Sequence, residues 1–149
     1  MPERDVRMED MMPLLCERLA AGQQVRFAPM GTSMLPMLHP GRDSVTLSPF
    51  TGAADKYDLL FYRRADGTCV LHRAVRGGDP CLCTGDNQFE YETVAAGQIL
   101  ARVTAFTRNG RERSAEDRAY RLYCRVWHFT RPARRLWRGL RVRVRRRLG

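Results

Sequence analysis

Lysine is all but missing from this chain of 149 residues: of 26 basic side chains only Lys56 is a lysine and the rest are arginine. That scarcity narrows the chemistry open to the chain, because a lysine base could come from one position only. Long apolar runs are missing as well. No stretch approaches the roughly 18 uninterrupted apolar residues of a membrane-spanning helix, so none is expected. The first sixteen residues carry acids and no extended apolar core, which argues against a secretory leader. The five cysteines, Cys16, Cys69, Cys81, Cys83 and Cys124, are odd in number and scattered. A disulfide framework is therefore not expected, and a reducing, cytoplasmic setting is. Acid is absent after Asp117, where twelve arginines follow. Residues 1–117 hold fourteen basic and sixteen acidic side chains, a net of −2, so the overall excess of +10 belongs to the C-terminal segment.

What is present is globular: 44% hydrophobic and 28% charged, enough for one domain with a core. Residues 9–21 space Met11, Leu14, Leu15 and Leu19 as one helical face, with Asp10 as N-cap, Pro13 in the first turn and Gly22 as the stop. Short strands are expected at 24–28, 43–49, 58–64, 68–75, 81–84 and 97–107, with a helical turn at 35–38. Asp66-Gly67 marks a hairpin, and Gly77–Pro80 and Gly85–Asn87 mark further turns. The expectation is a mainly β fold, an antiparallel sheet or partly closed barrel. An N-terminal helix (1–23) precedes the β domain (24–113), and an arginine-rich helical tail (114–149) follows it. In that tail Ser114 to Asp117 reads as a capping box, and Tyr120, Tyr123, Cys124 and Trp127 keep helical spacing. Thr130 reads as the cap of a second helix with Pro132 in its first turn. Ala133, Leu136, Trp137, Leu140 and Val144 form its stripe.

Residues 29–38, PMGTSMLPML, stand out chemically. Ser33 follows Gly31 and precedes Pro36, which describes a tight exposed turn, the setting in which hydrolases present a nucleophilic hydroxyl. The plain alternative is a loop serine capping its own turn. A serine needs a general base, and the candidates are Lys56, His39, His72 and His128. His72 lies mid-strand in a hairpin that could pass beneath the serine turn; packed strand histidines are also ordinary. Asp86, fourteen residues on, could orient an imidazole, or could simply be a turn aspartate. Cys81 and Cys83 face the same way on a strand, but no second pair at zinc spacing accompanies them, so packed thiols are expected, with no metal and no cofactor.

Four segments resemble, in order, the boxes of the signal-peptidase/LexA superfamily of serine peptidases: Gly31-Thr32-Ser33-Met34-Leu35-Pro36, Lys56-Tyr57-Asp58-Leu59-Leu60-Phe61-Tyr62, Val70-Leu71-His72-Arg73-Ala74-Val75 and Thr84-Gly85-Asp86-Asn87-Gln88. The resemblance covers about residues 27–108. It implies that family's antiparallel fold and an extended peptide substrate bound at a sheet edge. Histidine stands where the Ser-Lys branch has its lysine, so the chain is similar to the endoplasmic-reticulum and SipW-like branch. Ser33 would then attack the peptide carbonyl and His72 take its proton, with the Ser33 N–H in the oxyanion site. Asp86 matches the family's GDN aspartate. A further family acid falls in residues 89–92, where Glu92 or Glu90 must stand in.

No anchor and no DNA-binding domain is apparent before the serine box, so the implied activity is that of a small cytoplasmic processing protease acting on a leader or precursor peptide. The rival reading is a peptide-binding or membrane-surface scaffold of the same fold without turnover. For residues 131–149 three roles stay open: an anionic membrane surface at the inner face, a helix packed on the core, or nucleic acid, which the acidic balance of residues 1–117 disfavours for the core.

Overall fold

A computed structural model describes residues 8–148 of the chain. Helix α1 (Met8–Ala20) is followed by strands β1 (Val25–Phe27), β2 (Ser44–Pro49), β3 (Leu59–Arg63), β4 (Cys69–Arg76), β5 (Cys81–Thr84) and β6 (Glu92–Val94). Strands β7 (Ile99–Arg108) and β8 (Arg111–Ser114) then lead to helices α2 (Arg118–Phe129) and α3 (Arg131–Leu148). The strands form one antiparallel sheet in the order β1-β2-β7-β3-β4-β5-β6, with β8 paired to β7. The sheet is open, not a closed barrel.

Period-two alternation sorts side chains onto two faces. On β3, Leu59 and Phe61 join one cluster, which also takes Leu15 and Leu19 of α1, Met34, Met37 and Leu38 of the serine turn, and Val45, Leu47 and Val103. Leu60 and Tyr62 point the other way, among Ala74, Cys81, Cys83, Val94 and Ile99. Being buried on both sides, β3 reads as an unbroken apolar run. Each fully buried large side chain contributes about 1.5–3 kcal/mol, so β3 is the spine of the fold.

Three local expectations are corrected. The chain is already helical from Met8, so Asp10 lies within the first turn of α1 and does not precede it. Helix α2 is capped by Asp117, whose carboxylate accepts from the N–H of Ala119 (2.8 Å) and Tyr120 (3.2 Å); Ser114 is instead the last residue of β8. Thr130 does not cap α3 with its hydroxyl, which donates back to the Trp127 carbonyl at 3.2 Å. Strands β6 and β8 were not anticipated. The second had a signal: Asn109-Gly110 is the strongest short hairpin turn, and both residues have positive φ, 51° and 78°.

Helix α2 packs on the sheet. Tyr120 lies 4.7 Å from the Phe106 ring, Tyr120, Tyr123 and Trp127 line up one after another, and Cys124 is buried. Helix α3 differs: after Arg131, which is buried, nearly all its residues are exposed.

Candidate active site

The serine turn is held by main chain and by apolar anchors. Gly31 takes a φ of 91°, in the left-handed region that favours glycine. Leu35 N–H closes the turn on the Thr32 carbonyl (3.2 Å) and Leu38 N–H on that of Met34 (3.0 Å). Met34, Met37 and Leu38 are sunk in the core. Ser33 itself is half-buried, and its carbonyl accepts from the Asn87 N–H at 2.8 Å. The Asn87 side chain donates to the Thr32 carbonyl at 3.2 Å. Between them stands Gly85. A Cβ placed there would lie 2.6 Å from the Ser33 carbonyl oxygen and 3.1 Å from Ser33 Cβ, so only glycine admits this approach.

The register puts His72 on the strand next to this loop, on the sheet face of Leu60 and Tyr62. Arg73 pairs with Thr84 across β4 and β5, and Leu60 with His72 across β3 and β4. The ladder between β4 and β5 starts at Arg73–Thr84, so His72 and Gly85 each lie one residue beyond its terminal pair. Ser33 thus packs against the glycine that follows Thr84, the cross-strand partner of Arg73. Among the described residues, His72 makes its side-chain hydrogen bond through Nδ1, to Tyr62, and no direct bond joins it to Ser33.

The imidazole is buried, 3% exposed. Its Nδ1 lies 3.2 Å from the Tyr62 hydroxyl, which donates its proton to Glu92 Oε2 at 2.6 Å. Since the phenol proton is committed to Glu92, the phenol oxygen accepts from Nδ1–H, and the lone pair is left on Nε2. Arg64 binds the other Glu92 oxygen. Burial lowers the His72 pKa; Glu92 opposes that and Arg64 reinforces it, leaving the ring neutral near pH 7. Burial pushes Glu92 up, but the bonds from Arg64 and Tyr62 outweigh it and its carboxyl ends below the usual value. Burial first, then the bond to Glu92, holds Tyr62 well above the ordinary phenol, so it stays protonated.

Asp86 is engaged elsewhere. Fully buried, it takes Arg73 Nε (2.8 Å) and an Arg73 terminal nitrogen (3.0 Å) on its two oxygens, and the Tyr123 hydroxyl donates to it at 2.9 Å. It makes no hydrogen bond to His72. Arg73 also reaches the Tyr57 carbonyl, the Tyr120 hydroxyl, Cys124 Sγ and Met37 Sδ. Trp127 Nε1 donates to the Asp86 carbonyl at 2.8 Å. This knot ties β4, the 85–88 loop, α2 and the serine turn together. Glu90 is exposed and makes no such bond. Of the acids singled out in the sequence, Glu92 is the one that reaches His72, through Tyr62. Comparison with family models, with curated proteins and with solved structures returned no match.

The other base candidates stand apart from this arrangement. The Lys56 ammonium lies over the Tyr57 ring at 5.1 Å, and His128 packs edge-on against the same ring at 5.8 Å. His39 is half-buried, with its main-chain N–H given to Asp43 at 2.8 Å. The Cys81 and Cys83 sulfurs are buried 3.6 Å apart, and burial pushes the Cys83 thiol far up, so it is an inert packed thiol.

Two grooves meet at Ser33. One, of about 120 Å³, is apolar, lined by Phe27, Met30, Met34, Phe61 and Leu71. It runs beside β4, whose residues before Arg73 pair with β3 alone and leave their other edge free, because β5 joins only from Arg73 onward. The second, of about 710 Å³, lies between residues 87–90 and α3, whose Arg135, Arg138, Arg143 and Arg146 form its far wall.

Tyr62, Arg64 and Arg73 were not singled out from the sequence. A signal existed for the first. Counting back from Asp66-Gly67 pairs Arg63 with Cys69, Tyr62 with Val70 and Leu60 with His72, which puts Tyr62 and His72 on one face.

Proposed function

We propose that this chain is a serine endopeptidase of the signal-peptidase/LexA type that cleaves an extended peptide, a leader or a precursor. The observation that carries the reading is the packing of Ser33 on Gly85, one residue beyond the Arg73–Thr84 pair that adjoins His72. In this reading the substrate adds as a strand along the free edge of β4, with apolar side chains in the small groove beside Met34 and Phe61. His72 Nε2 takes the Ser33 proton as Oγ attacks the carbonyl carbon. The Ser33 N–H, which donates to no main-chain acceptor among the described residues, receives the oxyanion. The imidazolium then protonates the leaving amine, and water repeats the sequence on the acyl-enzyme. Glu92, acting through Tyr62, fixes the tautomer and favours the imidazolium as it forms. Asp86 holds the loop against which the serine turn rests.

A second reading, a peptide-binding module of the same fold without turnover, draws on the missing Ser33–His72 hydrogen bond. Catalytic hydrogen bonds are often long until substrate arrives, so that gap does not decide against the enzyme. The test is cleavage of a peptide library by wild type, Ser33→Ala and His72→Ala. Peptidase activity predicts products with wild type only. Equal cleavage by all three removes the assignment, and peptide binding without any cleavage selects the module.

A further inference from the structure

We propose that the outward face of α3 docks this protein on an anionic lipid surface. At about 100° per residue, Ala133, Leu136, Trp137, Leu140, Val144 and Leu148 fall on one side of α3. The five larger ones are 69%, 63%, 46%, 53% and 84% exposed. The opposite side, with Arg135, Arg138 and Arg146, faces the groove at Ser33. The stripe is left open: Trp137, Val144 and Leu148 are exposed, and Leu136 and Leu140 at its edge line an open apolar groove of about 780 Å³ with Phe89, Tyr91 and Phe129. Phe129, 85% exposed, lies next to it in sequence at the end of α2.

Charge selects the occupant. Arg141 and Arg145 flank the stripe on one side and Arg143 on the other, Arg147 falls within its edge, and no acid follows Asp117. A second copy of the stripe would set arginine against arginine with no counter-charge. Nucleic acid would satisfy the arginines but leave Leu136, Trp137 and Leu140 in water. An anionic bilayer accepts both: the stripe enters the acyl boundary, and the arginines reach up to the headgroups with their stems along it. Nine arginines among eighteen residues prevent α3 from spanning, and no helix among the described residues is long and apolar enough to cross a membrane. The helix lies in the interface plane, and the Ser33 groove on its other side stays in water.

The test is sedimentation of the full chain with phosphatidylcholine vesicles, with and without phosphatidylglycerol. Expected is binding that requires phosphatidylglycerol, weakens as salt rises, and is unchanged in Ser33→Ala. The double variant Leu136→Ser, Leu140→Ser alters only exposed side chains and should keep its circular dichroism spectrum. It should lose about tenfold or more in partitioning. Arg141→Gln with Arg145→Gln should weaken binding too. The proposal is overturned if the full chain stays in the supernatant at low salt, or if the Leu136→Ser, Leu140→Ser variant sediments like wild type. It is overturned equally by a concentration-dependent dimer that this double variant abolishes without any vesicle binding, or by binding to duplex DNA that is tighter than to vesicles and indifferent to the same two changes.

Discussion

Replacing Asp86 with asparagine separates the two roles that an acid could play here. The carboxylate is fully buried and takes two bonds from Arg73, itself 2% exposed, and one from Tyr123. The amide of asparagine would point N–H groups at a guanidinium and leave its charge buried without a counter-ion. Removing one partner of a buried pair costs about 3–5 kcal/mol, a large part of the 5–15 kcal/mol or so that holds a domain of this size. With an m-value near 2 kcal/mol/M in urea, the midpoint should fall by roughly 2 M. Glu92→Gln is the control. Its pair with Arg64 is about one-third exposed on each side, which limits the loss of stability to about 1 kcal/mol or less. It should nevertheless impair cleavage, because Glu92 holds Tyr62 against His72. Urea titrations and kcat on a cleaved peptide give both readouts. If Asp86→Asn unfolds like wild type yet is inactive, while Glu92→Gln cleaves normally, the division of labour drawn from these contacts is refuted.

Gly85→Ala should lower kcat/KM at least tenfold, since its Cβ would meet the Ser33 carbonyl at 2.6 Å and must push the serine turn away. An alanine variant with unchanged kinetics would show that the contact does not position Ser33. Because burial lowers the His72 pKa, the acid limb of activity should fall below pH 6.5 or so, the ordinary histidine value. The same depression adds stability above that pH, lost as pH falls through the folded value; Glu92→Gln, which removes a group that raises it, should move the limb lower still. A pH–rate profile checks both shifts. Tyr62→Phe removes the acceptor for Nδ1–H and should reduce kcat more than KM, read in steady-state kinetics. Asp43 accepts from the N–H groups of His39 and Asn109 and from Arg42, and these bonds hold its carboxyl well below the usual range despite burial. Its contribution is full above about pH 4 and fades as pH falls, so Asp43→Asn should destabilise at pH 7 and flatten the acid side of the stability curve.

The strands that alternate, or that are apolar throughout, were readable because burial writes a period into them. Strand β8, Arg-Glu-Arg-Ser, is exposed along its whole length and carries no such mark; only the Asn-Gly turn before it does. Strand β6 is three residues long and leaves too short a pattern. Within the candidate site, Ser33 and His72 were readable from local motifs. The work of the acids was not. Asp86 sits in a Gly-Asp-Asn turn that suits an orienting carboxylate and a structural one equally, and only the fold shows both its oxygens taken by Arg73 and Tyr123. Arg73 is a charged residue next to a histidine on a strand, yet it is among the most buried side chains, because α2 returns from 47 residues away to cover it.

The grip on residue 33 has a practical corollary. That residue is fixed through its carbonyl, by Asn87 and by the space beside Gly85, with nothing asked of its side chain. An engineer could thus exchange the hydroxyl for a thiol, or for a bare methyl, with the backbone still in place. Under the proposed peptidase reading, such swaps should yield traps that retain bound peptide without releasing products, ready for identifying what the groove holds.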